Sequence, residues 1–308
     1  MIKNGIARIL ISVSDLNESV KFYRDIFQMT VVGEYSLDNN TIEQLWNLPP
    51  ETTAKAVCLK NNEQTTLLEL IKFQPQSERF IRSRGNTTDY GLFTIALRAK
   101  NVDAAYENLK QKGYQFICLP ITYTPSWVPV TVKEAIMVAP NETAIALIER
   151  VSEPIPEFEG DFSIMLDTSQ VVENIEEVTK FYVDILGLNI VFDQVLPTGM
   201  IDNILNLPEG TESRMAFVNQ TGSNNAALEF IQCSVKGKSL ADVAKPPYLG
   251  LFAIAFAVDN LSALIQKLQA NNIKMLSEPV EISNYDQKRV RAIVVEAPNG
   301  VNLQFFES

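Results

Sequence analysis

The chain repeats itself. "VKFYRDIFQMTVV" around Phe22 returns as "TKFYVDILGLNIV" around Phe181, an offset of 181 − 22 = 159 residues. "NLPPETTAKAVCL" from Asn47 returns as "NLPEGTESRMAFV" from Asn206, and "LLELIKF" as "ALEFIQC", which sets Glu69 against Glu229. "GLFTIAL" from Gly91 is matched by "GLFAIAF" from Gly250, and "APNETAIALIE" by "APNGVNLQFFE". Landmarks kept in constant order at near-constant spacing define two tandem modules. They are read as residues 1–150 and 161–308, joined over 151–160 by a Pro- and Glu-rich linker.

Each module divides again. Its first half opens with an apolar strand ("IARILISV") followed by a helix ("LNESVKFYRDIF"). Its second half opens with "LFTIALRA" and then "NVDAAYENLKQKG". In that second helix Val102, Ala105, Tyr106 and Leu109 recur at helical spacing, the stripe of a helix packed on a sheet, and Gly113 follows as a stop. Strands with alternating β-branched residues complete both halves. The expected class is α+β: four βαβββ units forming curved half-barrel sheets, with helices on the outer face.

Charge and composition narrow the function classes. A net charge of −11 argues against nucleic acid, which needs a basic face; the densest basic run, "RFIRSRG", reads as a solvated loop. No apolar run approaches a membrane span, and "MIKNGIARIL" lacks the apolar core of a secretory signal, so a cytoplasmic protein without membrane contacts is expected. Cys58, Cys118 and Cys233 are odd in number and far apart, which suits small buried hydrophobes better than a disulfide framework or a thiolate zinc site. The chain contains no histidine, which excludes any Ser–His or Cys–His nucleophile. Phosphate-binding loops and dinucleotide fingerprints are also absent.

Four segments carry a family resemblance: "VSDLNESVKFYRDIFQM" (Val13–Met29), Glu69 in a fourth-strand position, "TIALRAKNVDAAYENLKQKG" (Thr94–Gly113) and "APNETAIALIE" (Ala139–Glu149). With their second-module counterparts, they resemble the vicinal oxygen chelate superfamily of glyoxalase I, extradiol dioxygenases and bleomycin-resistance proteins. The resemblance covers nearly the whole chain. It implies a divalent metal held inside a half-barrel by two His and two Glu from four strands. At those places the first module has Arg8, Glu69, Thr94 and Ala146, and the second is aligned here with Ser163, Glu229, Ala253 and Gln304. Only one glutamate survives in each set, and pooling ligands across modules does not restore a site. Catalytic transition-metal sites want about three protein ligands, usually including imidazole. No metal and no cofactor are therefore expected.

The retained glutamates need another reading. Period two places Leu67 and Ile71 on the face of Glu69, and a carboxylate among apolar side chains demands a partner. The family's geometry sets Arg8 beside Glu69, so an ion pair in the place of the metal is expected. Beside Glu229 the alignment sets neutral Ser163, which predicts a raised carboxyl pKa, suited to a general base or to a hydrogen bond with Gln304 and Ser163. Aromatic residues form a second line: Tyr123 and Trp127 in "ITYTPSWVPV", matched by Tyr285, are candidates for the rim of a ligand cavity. Trp46, aligned with Leu205, is a candidate for a lid-like helix.

Two functions fit these residues. The first is a binder of a small, largely apolar or aromatic organic molecule, as bleomycin-resistance-type members of the superfamily are without metal. Its expected lining is Arg8, Thr94, Tyr123, Trp127, Ser163, Ala253, Tyr285 and Gln304. The second is a metal-independent lyase or isomerase with Glu229, or else Glu69, as general base. The metal-dependent glyoxalase and dioxygenase activities fit the residues least, and a homodimer remains open.

Overall fold

The computed structural model describes residues 1–61, 64–125, 130–153 and 157–308. Trp127 and part of the inter-module linker, residues 154–156, lie outside the described residues. The first quarter of the chain contains β1 (Ile2–Ser12), α1 (Leu16–Phe27), β2 (Thr30–Leu37), α2 (Asn39–Trp46), β3 (Thr53–Lys60) and β4 (Leu67–Gln74). The second contains β5 (Gly91–Ala99), α3 (Val102–Gln111), β6 (Gln115–Phe116), β7 (Ile121–Tyr123), β8 (Val132–Val138) and β9 (Ala144–Arg150). The third runs through β10 (Phe162–Val171), α4 (Ile175–Lys180), β11 (Asn189–Leu196), α5 (Ile201–Leu205), β12 (Ser213–Asn219) and β13 (Ala227–Cys233). The last holds β14 (Gly250–Val258), α6 (Leu261–Ala270), β15 (Lys274–Met275), β16 (Val280–Ser283), β17 (Arg289–Glu296) and β18 (Asn302–Glu307). The βαβββ pattern read from the sequence recurs four times, with a short extra helix, α2 or α5, in the first and third units.

The helices begin where short polar residues can cap them. Asp15, Asn101 and Asn260 each accept a hydrogen bond from the backbone N–H three residues on, at Glu18, Ala104 and Ala263. Each cap satisfies one of the donors that a helix N-terminus leaves free. Asn174 does the same for α4, bonding the N–H groups of Glu176 and Glu177.

The strands assemble into two mixed sheets of nine strands each. The first runs β2-β3-β4-β1-β14-β18-β17-β15, with β16 on β17; the second runs β11-β12-β13-β10-β5-β9-β8-β6, with β7 on β8. Neither sheet belongs to one sequence module. Each takes the first half of one module and the second half of the other. They join through antiparallel β1/β14 (Leu10 opposite Ala253) and β10/β5 (Asp167 opposite Ala96). Within each half, the strand pairs β1/β4, β5/β9, β10/β13 and β14/β18 are parallel.

One apolar cluster ties the outer faces of both sheets to the helices, through residues such as Ile9, Phe27, Ile95, Phe162, Phe230 and Phe256. A second cluster fills the inner face of the first sheet, and a third lines that of the second. All three cysteines are buried and free, as small hydrophobes. No helix among the described residues is long and apolar enough to cross a membrane.

Between β4 and β5 the chain crosses from one sheet to the other, and Arg82 anchors that crossing. Its side chain is buried and donates to the carbonyls of Asn86 (3.2 Å), Asp89 (2.8 Å) and Leu92 (3.1 Å). The guanidinium also lies 5.1 Å from the Phe93 ring centroid. Burial lowers its pKa to about 10, still charged at neutral pH. Truncating it strands several buried carbonyls at once. We expect Arg82→Ala to lower the unfolding free energy by about 3 kcal/mol or more, as measured by equilibrium urea denaturation.

Candidate functional site

The two half-barrels are equivalent in topology and opposite in content. In the first, Arg8 on β1 donates to Glu69 on β4 at 3.1 Å, and Tyr35 and Asn284 complete the network around the pair. The expected ion pair is therefore present, with both side chains almost wholly buried. Arg8 also stacks on Phe306, 4.4 Å from its ring centroid, and lies 5.9 Å from that of Tyr285. Trp46 on α2 packs edge-on against Phe252 at 5.1 Å, and Phe73 meets Phe252 from the other side at 6.2 Å. A side chain at Gly33 would meet the Tyr285 carbonyl at 2.7 Å, so β2 and the turn after β16 close on each other. Ala253 and Gln304, on β14 and β18, are buried in this same half-barrel. Its interior is filled.

The second half-barrel encloses a cavity of about 180 Å³. Thr94, Tyr123 and Glu229 line it, as the sequence reading expected, and Ala146 lies across from them on β9. Ser163 does not line it. Strand register gives the reason: Arg8 lies opposite Leu67 in the first sheet, and Asp167 lies opposite Ala227 in the second. The residue in the place of Arg8 is thus Asp167, at the same offset of 167 − 8 = 159 that relates the helices. The alignment that chose Ser163 is displaced by four residues. A second correction concerns Gln304, Ala253 and Tyr285: all three belong to the half-barrel of Glu69, so neither Gln304 nor Ser163 pairs with Glu229.

The cavity exists because specific residues are smaller than their counterparts. Leu205 replaces Trp46 on the overlying helix, and Ile148 on β9 replaces Phe306 on β18. Ile201, Ile204 and Leu205 of α5 cover the space with apolar surface. Thr94 and Ser169, at the back, satisfy each other at 2.6 Å.

Glu134 on β8 is the site residue that the sequence reading missed. Its signal was local: in "VKEAIMV", period two puts Glu134 on the face of Val132 and Ile136, two apolar cavity-lining residues. Tyr123 donates to it at 2.6 Å. Three carboxyl groups, of Glu134, Asp167 and Glu229, thus face one largely apolar space. Burial raises Glu134 to about 7, against the pull of the Tyr123 hydrogen bond. Asp167 rises by burial and by the nearby charge of Glu134, opposed by Arg98. Glu229 rises well above the usual carboxyl range through burial, then Asp167, then Glu134. The direction expected for Glu229 is right, but the neighbour responsible is an acid rather than a neutral serine.

Neither half-barrel offers the ligand set that the resemblance would imply. In the first, the Arg8 guanidinium stands against Glu69, opposite Ala253 and Gln304. In the second, Asp167 and Glu229 face Thr94 and Ala146. Among the described residues no three His, Cys, Asp or Glu side chains are grouped to hold a metal ion.

The three acids make stability depend on pH. A carboxyl group raised on folding binds its proton more tightly in the folded chain, so its contribution is full below the unfolded value and is lost as pH rises through the folded one. For Glu134 that window runs from about 4 to about 7, and the change it brings is on the order of 3 kcal/mol. The ligand-free protein should lose stability as pH rises through this window. Glu134→Gln should flatten the slope, as read from urea midpoints at several pH values.

The fold has recognisable relatives. The family model described as Glyoxalase/Bleomycin resistance protein/Dioxygenase superfamily matches residues 5–125 and 164–305. No curated protein matches significantly. Among solved structures, glyoxalase I from Zea mays is similar over 98% of this chain and 92% of that one, with a TM-score of 0.65 at 16% identity. A putative dioxygenase from Bacillus subtilis is similar over 99% and 86%, with a TM-score of 0.58 at 11% identity. At such identities the likeness is one of fold. Two matched modules spanning most of the sequence, folded into two half-barrels, establish that the chain belongs to the glyoxalase/bleomycin resistance protein/dioxygenase superfamily.

Proposed function

We propose that this protein binds a small, largely apolar organic molecule in the second half-barrel, without a transition metal, in a cytoplasmic setting. The observation that carries the reading is the contrast between equivalent interiors. One is packed with Trp46, Phe73, Phe252, Phe306 and an ion pair; the other keeps an apolar space roofed by a short helix. Unfilled apolar volume costs stability, so a cavity with convergent polar groups is the default place to look for a ligand. The volume suits one ring with a short arm, since an apolar cavity of about 150 Å³ takes benzene. Metal independence rests on donor chemistry: the superfamily's ligand positions hold Thr94 and Ala146 here, and two acids that favour protonation.

A second reading has an observation of its own. Glu229 accepts no hydrogen bond from any described residue, lines the cavity and takes up a proton readily, as a general base in a metal-free lyase or isomerase would. Glu69 is a weaker candidate for that role, because Arg8 and Tyr35 already hold both its oxygens. We read that pair as structural, replacing the metal that would otherwise tie the strands together.

Native mass spectrometry of the tag-free protein, set against its denatured mass, should show an organic adduct. Leu205→Trp, which copies the filled half-barrel, should abolish it while the protein stays folded. A bound transition metal in place of an organic mass would overturn the metal-free reading. Glu229→Gln tests the enzymatic reading: an enzyme still takes up its substrate but loses turnover by 100-fold or more, whereas a binder has no turnover to lose.

A further inference from the structure

We propose that the ligand of the second half-barrel is a protonated amine: an ammonium group with N–H donors, set between Asp167 and Glu229, on an apolar or aromatic body lying under α5. The proposal rests on the reading of this cavity as the ligand site and specifies its chemistry. The lining holds three acids and no basic side chain. One of those acids is incompletely partnered in an informative way. Asp167 is more than nine-tenths buried, and its Oδ1 has no hydrogen-bond partner. A buried acceptor left without a donor is costly unless something supplies one. Glu229 likewise accepts no hydrogen bond from any described residue. Glu134 differs, since Tyr123 already donates to it at 2.6 Å. Among the three acids the unpartnered buried acceptor is therefore at Asp167, with Glu229 lining the same space.

From β5, Arg98 faces Asp167 and opposes its protonation, but it makes no ion pair within 4.0 Å among the described residues, and its Nε has no partner. Arg150, on β9, acts on Arg98 rather than on the acids. Tyr123 is held well above its ordinary range by burial and by Glu134, so it stays a neutral donor. Arg98 thus offsets only part of the shift at Asp167, and burial favours the neutral form of all three acids. An ammonium ion would replace their protons: the carboxyl groups release them and accept N–H hydrogen bonds instead. A carboxylate ligand would meet the opposite field and be excluded. A quaternary ammonium would bring charge without donors and leave the Asp167 acceptor unfilled.

Sign and stoichiometry follow. Amine binding should strengthen as pH rises from 6 to 8, because the acids must be deprotonated, and it should release protons to the buffer. The test is isothermal titration of the full chain with arylalkylamines from benzylamine to 4-phenylbutylamine. Matched alcohols and carboxylates are the controls, at pH 6 and pH 8, in buffers of differing ionisation enthalpy. The best amine should bind at least tenfold more tightly than its alcohol and carboxylate at pH 8. Asp167→Asn and Glu229→Gln should each reduce that preference about tenfold while leaving the alcohol's affinity within twofold. Should either variant fail to fold, proton release and pH dependence in the unsubstituted protein remain as independent readouts. If alcohols or carboxylates bind as well as the amines, and Leu205→Trp blocks them, the amine assignment is wrong and the cavity reading stands. If no member of any series binds, both fail together.

Discussion

Two antiparallel contacts, β1 with β14 and β10 with β5, carry the whole arrangement. Each unites strands from different sequence modules into one continuous sheet, and nearly every residue in those strands is buried. A single βαβββ unit has an exposed central edge, whose free N–H and C=O groups need a partner. Pairing with a unit from the other module satisfies that edge and curves nine strands around a shared interior. Each interior is therefore lined by residues from both modules, far apart in sequence: Glu69 with Gln304, and Glu229 with Thr94.

From this exchange comes the division of labour between the half-barrels. Both inherit the same positions, but different side chains fall on them. Arg8 and Glu69 neutralise each other under a seal of aromatic rings. A buried pair of this kind adds little net stability but costs several kcal/mol if one partner is lost, roughly 3–5 by general experience. Asp167 and Glu229 cannot neutralise each other, and Glu134 adds a third like charge. That interior combines apolar walls with perturbed acids, which marks a functional site more often than a structural one.

Such a site is built on rigid elements. Glu134, Asp167 and Glu229 sit in the interiors of β8, β10 and β13, whose backbones are fixed by neighbours on both sides. The adaptable part is the roof, since α5 is a single short turn-and-a-half of helix between loops. This geometry holds the acids in place beneath an apolar cover.

The sequence by itself determined the repeat, the α+β class and the four βαβββ units, because helix stripes, strand alternation and caps are local properties that a periodic pattern exposes. That Arg8 would meet Glu69 came from the family resemblance, which sets the first and fourth strands of a module side by side. Two things were decided only in the tertiary structure. Sheet membership was one, because exchange between modules leaves no mark on either module's own pattern. Register was confirmed there: the repeat offset of 159 already pointed from Arg8 to Asp167, and the pairing of Asp167 with Ala227 shows that Ser163 is four residues away from that place. The other was the cavity itself. It is lined by Leu205, Ile148 and Glu229 from three separate elements, and volume left between distant side chains is not a property of any one stretch of chain.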